Sequence, residues 1–117
     1  MSYTHAFEPS ERKLQETDAL VETIKNNKKN FILAGDFNAQ PDSEVIKRIE
    51  KYVENLGPGY EQNTWTTKPF SYNGFEANEL DYRLDYVFGS QDISVISAQT
   101  LATDVSDHLP VMVEIEV

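Results

Sequence analysis

The chain has 117 residues, twenty acidic against ten basic side chains, a formal charge of −10 and no cysteine. That length fits one small domain with a thin core, and 39% hydrophobic with 11% aromatic content argues for a folded chain rather than a disordered one. The missing cysteines exclude disulfides, thiolate metal sites and thiol catalysis; the acidic balance excludes a basic coat for nucleic acid, yet suits clustered carboxylates that collect a hard divalent cation. No stretch approaches a membrane span and no secretory signal is visible, which leaves the cytoplasm as the default compartment.

Tyr3 to Phe7 is aromatic and β-branched and reads as a strand, with His5 near its end and Glu8-Pro9-Ser10 breaking it. Ser10 can cap a helix in which Leu14, Thr17, Val21 and Ile24 recur at spacings of three and four, closed by the polar run Asn26 to Asn30. Phe31 to Ala34 is continuously apolar and reads as a strand buried on both faces. It ends in Gly35-Asp36-Phe37-Asn38. These polar residues either close the strand as turn chemistry or hold a carboxylate and an amide at the mouth of a site, since ligands of open α/β sheets bind beyond strand ends. Asp42 or Ser43 caps a second helix carrying Ile46, Ile49, Val53 and Leu56, which Gly57-Pro58-Gly59 stops.

Tyr60 to Leu80 is irregular, polar around the single Trp65, and reads as a long loop with the indole either tucked into the core or offered as a substrate platform. Tyr82 to Phe88 alternates: Leu84, Tyr86 and Phe88 share one face, while Arg83, Asp85 and Val87 share the other, so Arg83 and Asp85 could form a charged pair. Ile93 to Leu101 reads as another strand, and after the loop ending in Asp107-His108 the alternation of Val111, Val113, Ile115 and Val117 gives the last one. The expected fold is α/β: one domain over residues 1–117, a mixed sheet of five or six strands with two main helices on one face.

His5, Asp36 with Asn38, Asp85, and Asp107 with His108 stand at or near predicted strand ends. Phosphoester hydrolysis uses these residue types: a carboxylate to orient or deprotonate water, carboxylates to hold Mg²⁺, an imidazole or amide to meet charge on phosphoryl oxygens, and an aspartate to fix the histidine tautomer. Each taken alone also has a plain structural reading, so the case rests on their joint occurrence.

Tyr3-Thr4-His5, Gly35-Asp36-Phe37-Asn38 followed by Ala39 and Pro41, Arg83-Leu84-Asp85-Tyr86-Val87-Phe88, and Ser106-Asp107-His108-Leu109-Pro110-Val111 together resemble the endonuclease/exonuclease/phosphatase superfamily of DNase I-like proteins. The four stretches come in family order. The resemblance implies that Asp36 positions and activates water, that Asn38 supports the transition state and that His5 contacts the scissile phosphate. It implies that Asp107, with Asp36, belongs to the carboxylates near a Mg²⁺ (or Mn²⁺), and that His108, paired with Asp85, binds a phosphate oxygen. Arg83 would be a neighbouring structural or electrostatic partner. Members of that family are about twice this length and form a two-sheet sandwich with helices outside, so the chain corresponds to the C-terminal half. The asparagine and glutamate supplied by the family's N-terminal half have no counterpart in it. The expected function is therefore the C-terminal portion of a Mg²⁺-dependent phosphohydrolase, weakly active or inactive without that half, with a non-catalytic binding or assembly module as the alternative. A small or lipid-linked phosphoester is slightly favoured as substrate over nucleic acid. The sheet face left bare should meet the missing half, associate with itself, or be covered by a loop.

Overall fold

A computed structural model describes residues 10–26, 30–72 and 74–116. The predicted strand from Tyr3 to Phe7, with His5, lies outside the described residues. Helix α1 spans Glu11–Lys25; the Ser10 hydroxyl accepts the Lys13 N–H at 3.1 Å, and Glu11 and Lys25 each oppose the dipole end they sit on. Its buried face is Lys13, Thr17, Val21 and Ile24, so a lysine occupies a core-facing position. Strand β1 is Ile32–Asp36 and helix α2 is Glu44–Glu50, with Ser43 as its cap. The remaining strands are β2 (Glu54–Asn55), β3 (Phe70–Tyr72), β4 (Phe75–Ala77), β5 (Asp85–Gly89), β6 (Ser94–Thr100) and β7 (Val111–Glu116).

The α/β class with two helices is what the structure has. Among the described residues the strands are hydrogen-bonded as one three-stranded sheet in the order β1-β5-β2 and two hairpins, β3-β4 and β6-β7, every pairing antiparallel. Residues directly opposite in a ladder share a face. Leu33 opposite Phe88 and Gly35 opposite Tyr86 make the face that meets both helices, where Val21, Ile24, Val45, Ile46 and Ile49 complete the main core. Tyr86 and Phe88 stack at 5.3 Å, and Phe37 meets both rings edge-on. The opposite face carries Ile32, Ala34 opposite Val87, and Asp36 opposite Asp85. Both carboxylates therefore leave the sheet on the side away from the helices.

Two sequence expectations are corrected here. The β1 strand is not buried on both faces: Ile32 is 48% exposed and Ala34 is exposed, because the helices cover only one side. The second helix stops at Glu50; Val53 and Leu56 reach the core from extended backbone instead. One edge of β5 is taken by β1 and the other by β2, and the Leu56 N–H continues that second pairing by donating to the Val87 carbonyl at 2.8 Å. That edge pairing outweighs helix propagation past Glu50. Gly89 leaves room for the Leu56 side chain, which a Cβ there would displace. A smaller core forms under the β3-β4 hairpin, where Trp65, Ala77 and Leu84 are buried among Phe70, Phe75 and Tyr82. The buried Trp65 matches the reading that tucked the indole into the core. No described helix is long and apolar enough to cross a membrane.

Candidate active site

Asp36 and Asp85 end the β1-β5 ladder as a directly paired couple on one face, so strand register alone sets their side chains next to each other. The loop before β7 then brings in His108. Its Nδ1 lies 2.7 Å from Asp85 Oδ2 and its Nε2 3.6 Å from Asp36 Oδ2, so the imidazole bridges the two carboxylates. With Nδ1–H donating to Asp85, Nε2 is the nitrogen turned toward Asp36. One donor atom from each of these three residues falls within 4.8 Å of the others. The Asp85 hydrogen bond, then the charges of Asp85, Asp36 and Asp107, raise the His108 pKa, with burial opposing. The ring therefore holds a proton to higher pH than a free histidine does.

Asp36 is set by its own turn. Its Oδ1 accepts the Asn38 N–H at 2.8 Å, and Asn38 takes left-handed backbone at φ +50°, which asparagine tolerates better than most residues. The Asn38 carbonyl accepts from Lys13 Nζ at 2.7 Å, so the buried lysine of α1 clamps this turn from behind. Burial raises the Asp36 pKa and Asp85 adds to the rise, while the Asn38 N–H and His108 work against it. Its side chain is still 45% exposed and open to an incoming molecule.

Asp107 stands apart from the group of three. Its Oδ2 accepts the Trp65 Nε1–H at 3.2 Å, and its Oδ1 is 3.3 Å from the Ser106 hydroxyl. Burial alone would raise its pKa, but the indole, His108 and Ser106 outweigh that and hold it below the ordinary carboxylate value. His5 lies outside the described residues. Arg83 does not pair with the Asp85 carboxylate. Its Nε donates to the Asp85 backbone carbonyl at 2.7 Å and its Nη1 to the carbonyls of Pro58, Gly59 and Gln62. The guanidinium lies over the rings of Tyr60 and Tyr86. Arg83 precedes β5, so the alternation that put it on the Asp85 face does not apply to it. The Tyr86 hydroxyl, shared between the carbonyls of Ala39 and Arg83, ties the β1 turn to the start of β5.

Lys13 and Thr64 were not singled out by sequence reasoning. Lys13 left a trace, since it falls four residues before Thr17 in phase with the buried face; Thr64 left none. The donor set, two carboxylates and an imidazole, fits a hard divalent cation through its oxygens.

The Endonuclease/Exonuclease/phosphatase family profile matches residues 2–108 of the 117-residue chain. The chain belongs to the endonuclease/exonuclease/phosphatase family. Among curated proteins and among solved structures no significant match is found. Family membership makes this a domain of the phosphoesterase and nuclease type, a class of hydrolases that act on phosphoesters and are typically metal-dependent. The matched span runs from before His5 through His108, and so includes Asp36, Asn38, Asp85 and Asp107 as well.

Proposed function

We propose that the chain is the C-terminal portion of a Mg²⁺- or Mn²⁺-dependent phosphohydrolase that cleaves a phosphodiester or phosphomonoester by water attack. The observation that carries this is the bridge Asp85–His108–Asp36, at 2.7 and 3.6 Å, on the open sheet face. Asp36, half exposed and with its basicity raised by burial, orients the water and takes its proton. His108, its pKa raised chiefly by the hydrogen bond to Asp85, meets the charge that develops on a phosphoryl oxygen through Nε2. Asn38 supports the same oxygen cluster and His5 contacts the scissile phosphate. A bound Mg²⁺ or Mn²⁺ would neutralise phosphoryl charge and would be held by Asp36 of the three-residue group, with Asp107, whose Oδ2 accepts from Trp65, as the second carboxylate that the resemblance implies.

The described residues supply only three donors to this group, and the asparagine and glutamate of the family resemblance are not among them. We therefore expect weak turnover from this chain alone. The acidic surface favours a small or lipid-linked phosphoester over nucleic acid. The test pairs two measurements. Mn²⁺ added to the labelled chain should broaden NMR signals of Asp36, Asp107 and His108 first and saturably. Slow hydrolysis of bis(p-nitrophenyl) phosphate should fall to background in Asp36→Asn. No localised broadening at millimolar metal, together with hydrolysis indifferent to Asp36, would leave the non-catalytic binding module as the reading.

A further inference from the structure

The Asp85–His108 pair joins two segments with no ladder between them, and one residue touches both. Thr64 is fully buried, and its hydroxyl oxygen accepts the Leu84 N–H at 3.0 Å and the Asp85 N–H at 3.2 Å. Its carbonyl accepts the Leu109 N–H at 2.7 Å, next in the chain to His108. Its own N–H donates to Tyr82 at 2.8 Å, and the following residue, Trp65, bridges to both Tyr82 and His108. We propose that Thr64 is the positioning residue of the Asp85–His108 pair, holding the carboxylate segment by its side chain and the imidazole segment by its main chain.

A buried threonine ordinarily returns its hydroxyl to its own local backbone. Here the oxygen accepts from two consecutive amides of a segment 20 and 21 residues away, at the point where β5 begins. Asp85 is thus fixed on its N–H side by Thr64 and on its carbonyl side by Arg83 Nε at 2.7 Å. The main chain beside His108 is fixed through Leu109. A 2.7 Å hydrogen bond between side chains tolerates little relative movement: a slip of more than about 0.5 Å in either segment would stretch it beyond its preferred range. Valine matches threonine in shape but offers no acceptor, so Thr64→Val takes the acceptor from the buried Leu84 amide and from the part-buried Asp85 amide next to it. Serine keeps the acceptor.

The catalytic meaning of this residue rests on the phosphohydrolase reading, but its test does not. In the full chain, the Nδ1–H proton of His108 should appear as a separate downfield NMR resonance while it is donated to Asp85. Thr64→Val should lose that resonance to solvent exchange with the Ile46 and Ile49 methyl signals unmoved, and Thr64→Ser should retain it. A folded Thr64→Val chain that keeps the resonance overturns the proposal. Should Thr64→Val fail to fold, amide exchange of the unsubstituted chain decides: Leu84 and Asp85 N–H should be as protected as that of Phe88, and exchange as fast as at exposed Asp104 overturns it. If the resonance follows Thr64 while neither Mn²⁺ nor Asp36 affects anything, the enzyme reading fails and the positioning role stands.

Discussion

His108 draws its charge from what surrounds it, and that gives the site a pH signature. Its folded pKa lies above the unfolded value of about 6.5, chiefly because Asp85 accepts its proton. A raised base stabilises the fold fully below the unfolded pKa and loses that contribution as pH rises through the folded one. The urea midpoint should therefore decline from about pH 6.5 upward, and Asp85→Asn should flatten the decline; an equal slope in both chains would mean the pair adds nothing to stability. Lys13 makes the converse case. Burial lowers its pKa, and its Nζ donates to the Asn38 carbonyl at 2.7 Å. Lys13→Met keeps the aliphatic stem but leaves that carbonyl unpaired, which should cost about 1–3 kcal/mol in urea unfolding. An unchanged midpoint would mean that the charge's desolvation cancels the bond.

At the level of elements, β5 holds the molecule together: it pairs with β1 and β2, gives Tyr86 and Phe88 to the core and places Asp85 at its start. Phe88 is fully buried, stacked on Tyr86 and edge-on to Phe37, so Phe88→Ala should cost about 3–5 kcal/mol by thermal or urea unfolding, with a cost under about 1 kcal/mol arguing against a rigid core there. Much of this was legible in the sequence. The Ser10 and Ser43 caps, the 3–4 spacing of Val21 and Ile24 and the alternation through Leu84, Tyr86 and Phe88 are local signals, and the structure follows them. The end of α2 was not legible, because Val53 and Leu56 keep helical spacing while Glu54, Asn55 and Leu56 pair with the second edge of β5. The site divides the same way. Asp36, Asp85 and His108 could be seen as polar residues at strand ends, but their meeting depends on register, which no single segment encodes. Trp65 could be read as core; its indole proton on Asp107 could not, since that contact links loops far apart in sequence.

For the whole molecule, the decisive feature is that the helices cover one face of the three-stranded sheet and leave the other open. Ile32, Ala34 and Val87 share that bare face with Asp36 and Asp85, and Ile32 is 48% exposed. Apolar sheet surface left in water favours association, whereas a formal charge of −10 on every copy opposes it. The two effects separate by salt, because at about 0.15 M and above the repulsion is screened beyond roughly 8 Å while burial is not weakened. The chain should therefore run near its monomer mass in light scattering at low ionic strength and shift toward a dimer as sodium chloride is added. Ile32→Lys should hold it monomeric throughout, with the His108 signals in place because the substituted position is remote from the imidazole along β1. A single mass at all salt concentrations, unchanged by Ile32→Lys, would show that this face does not drive self-association.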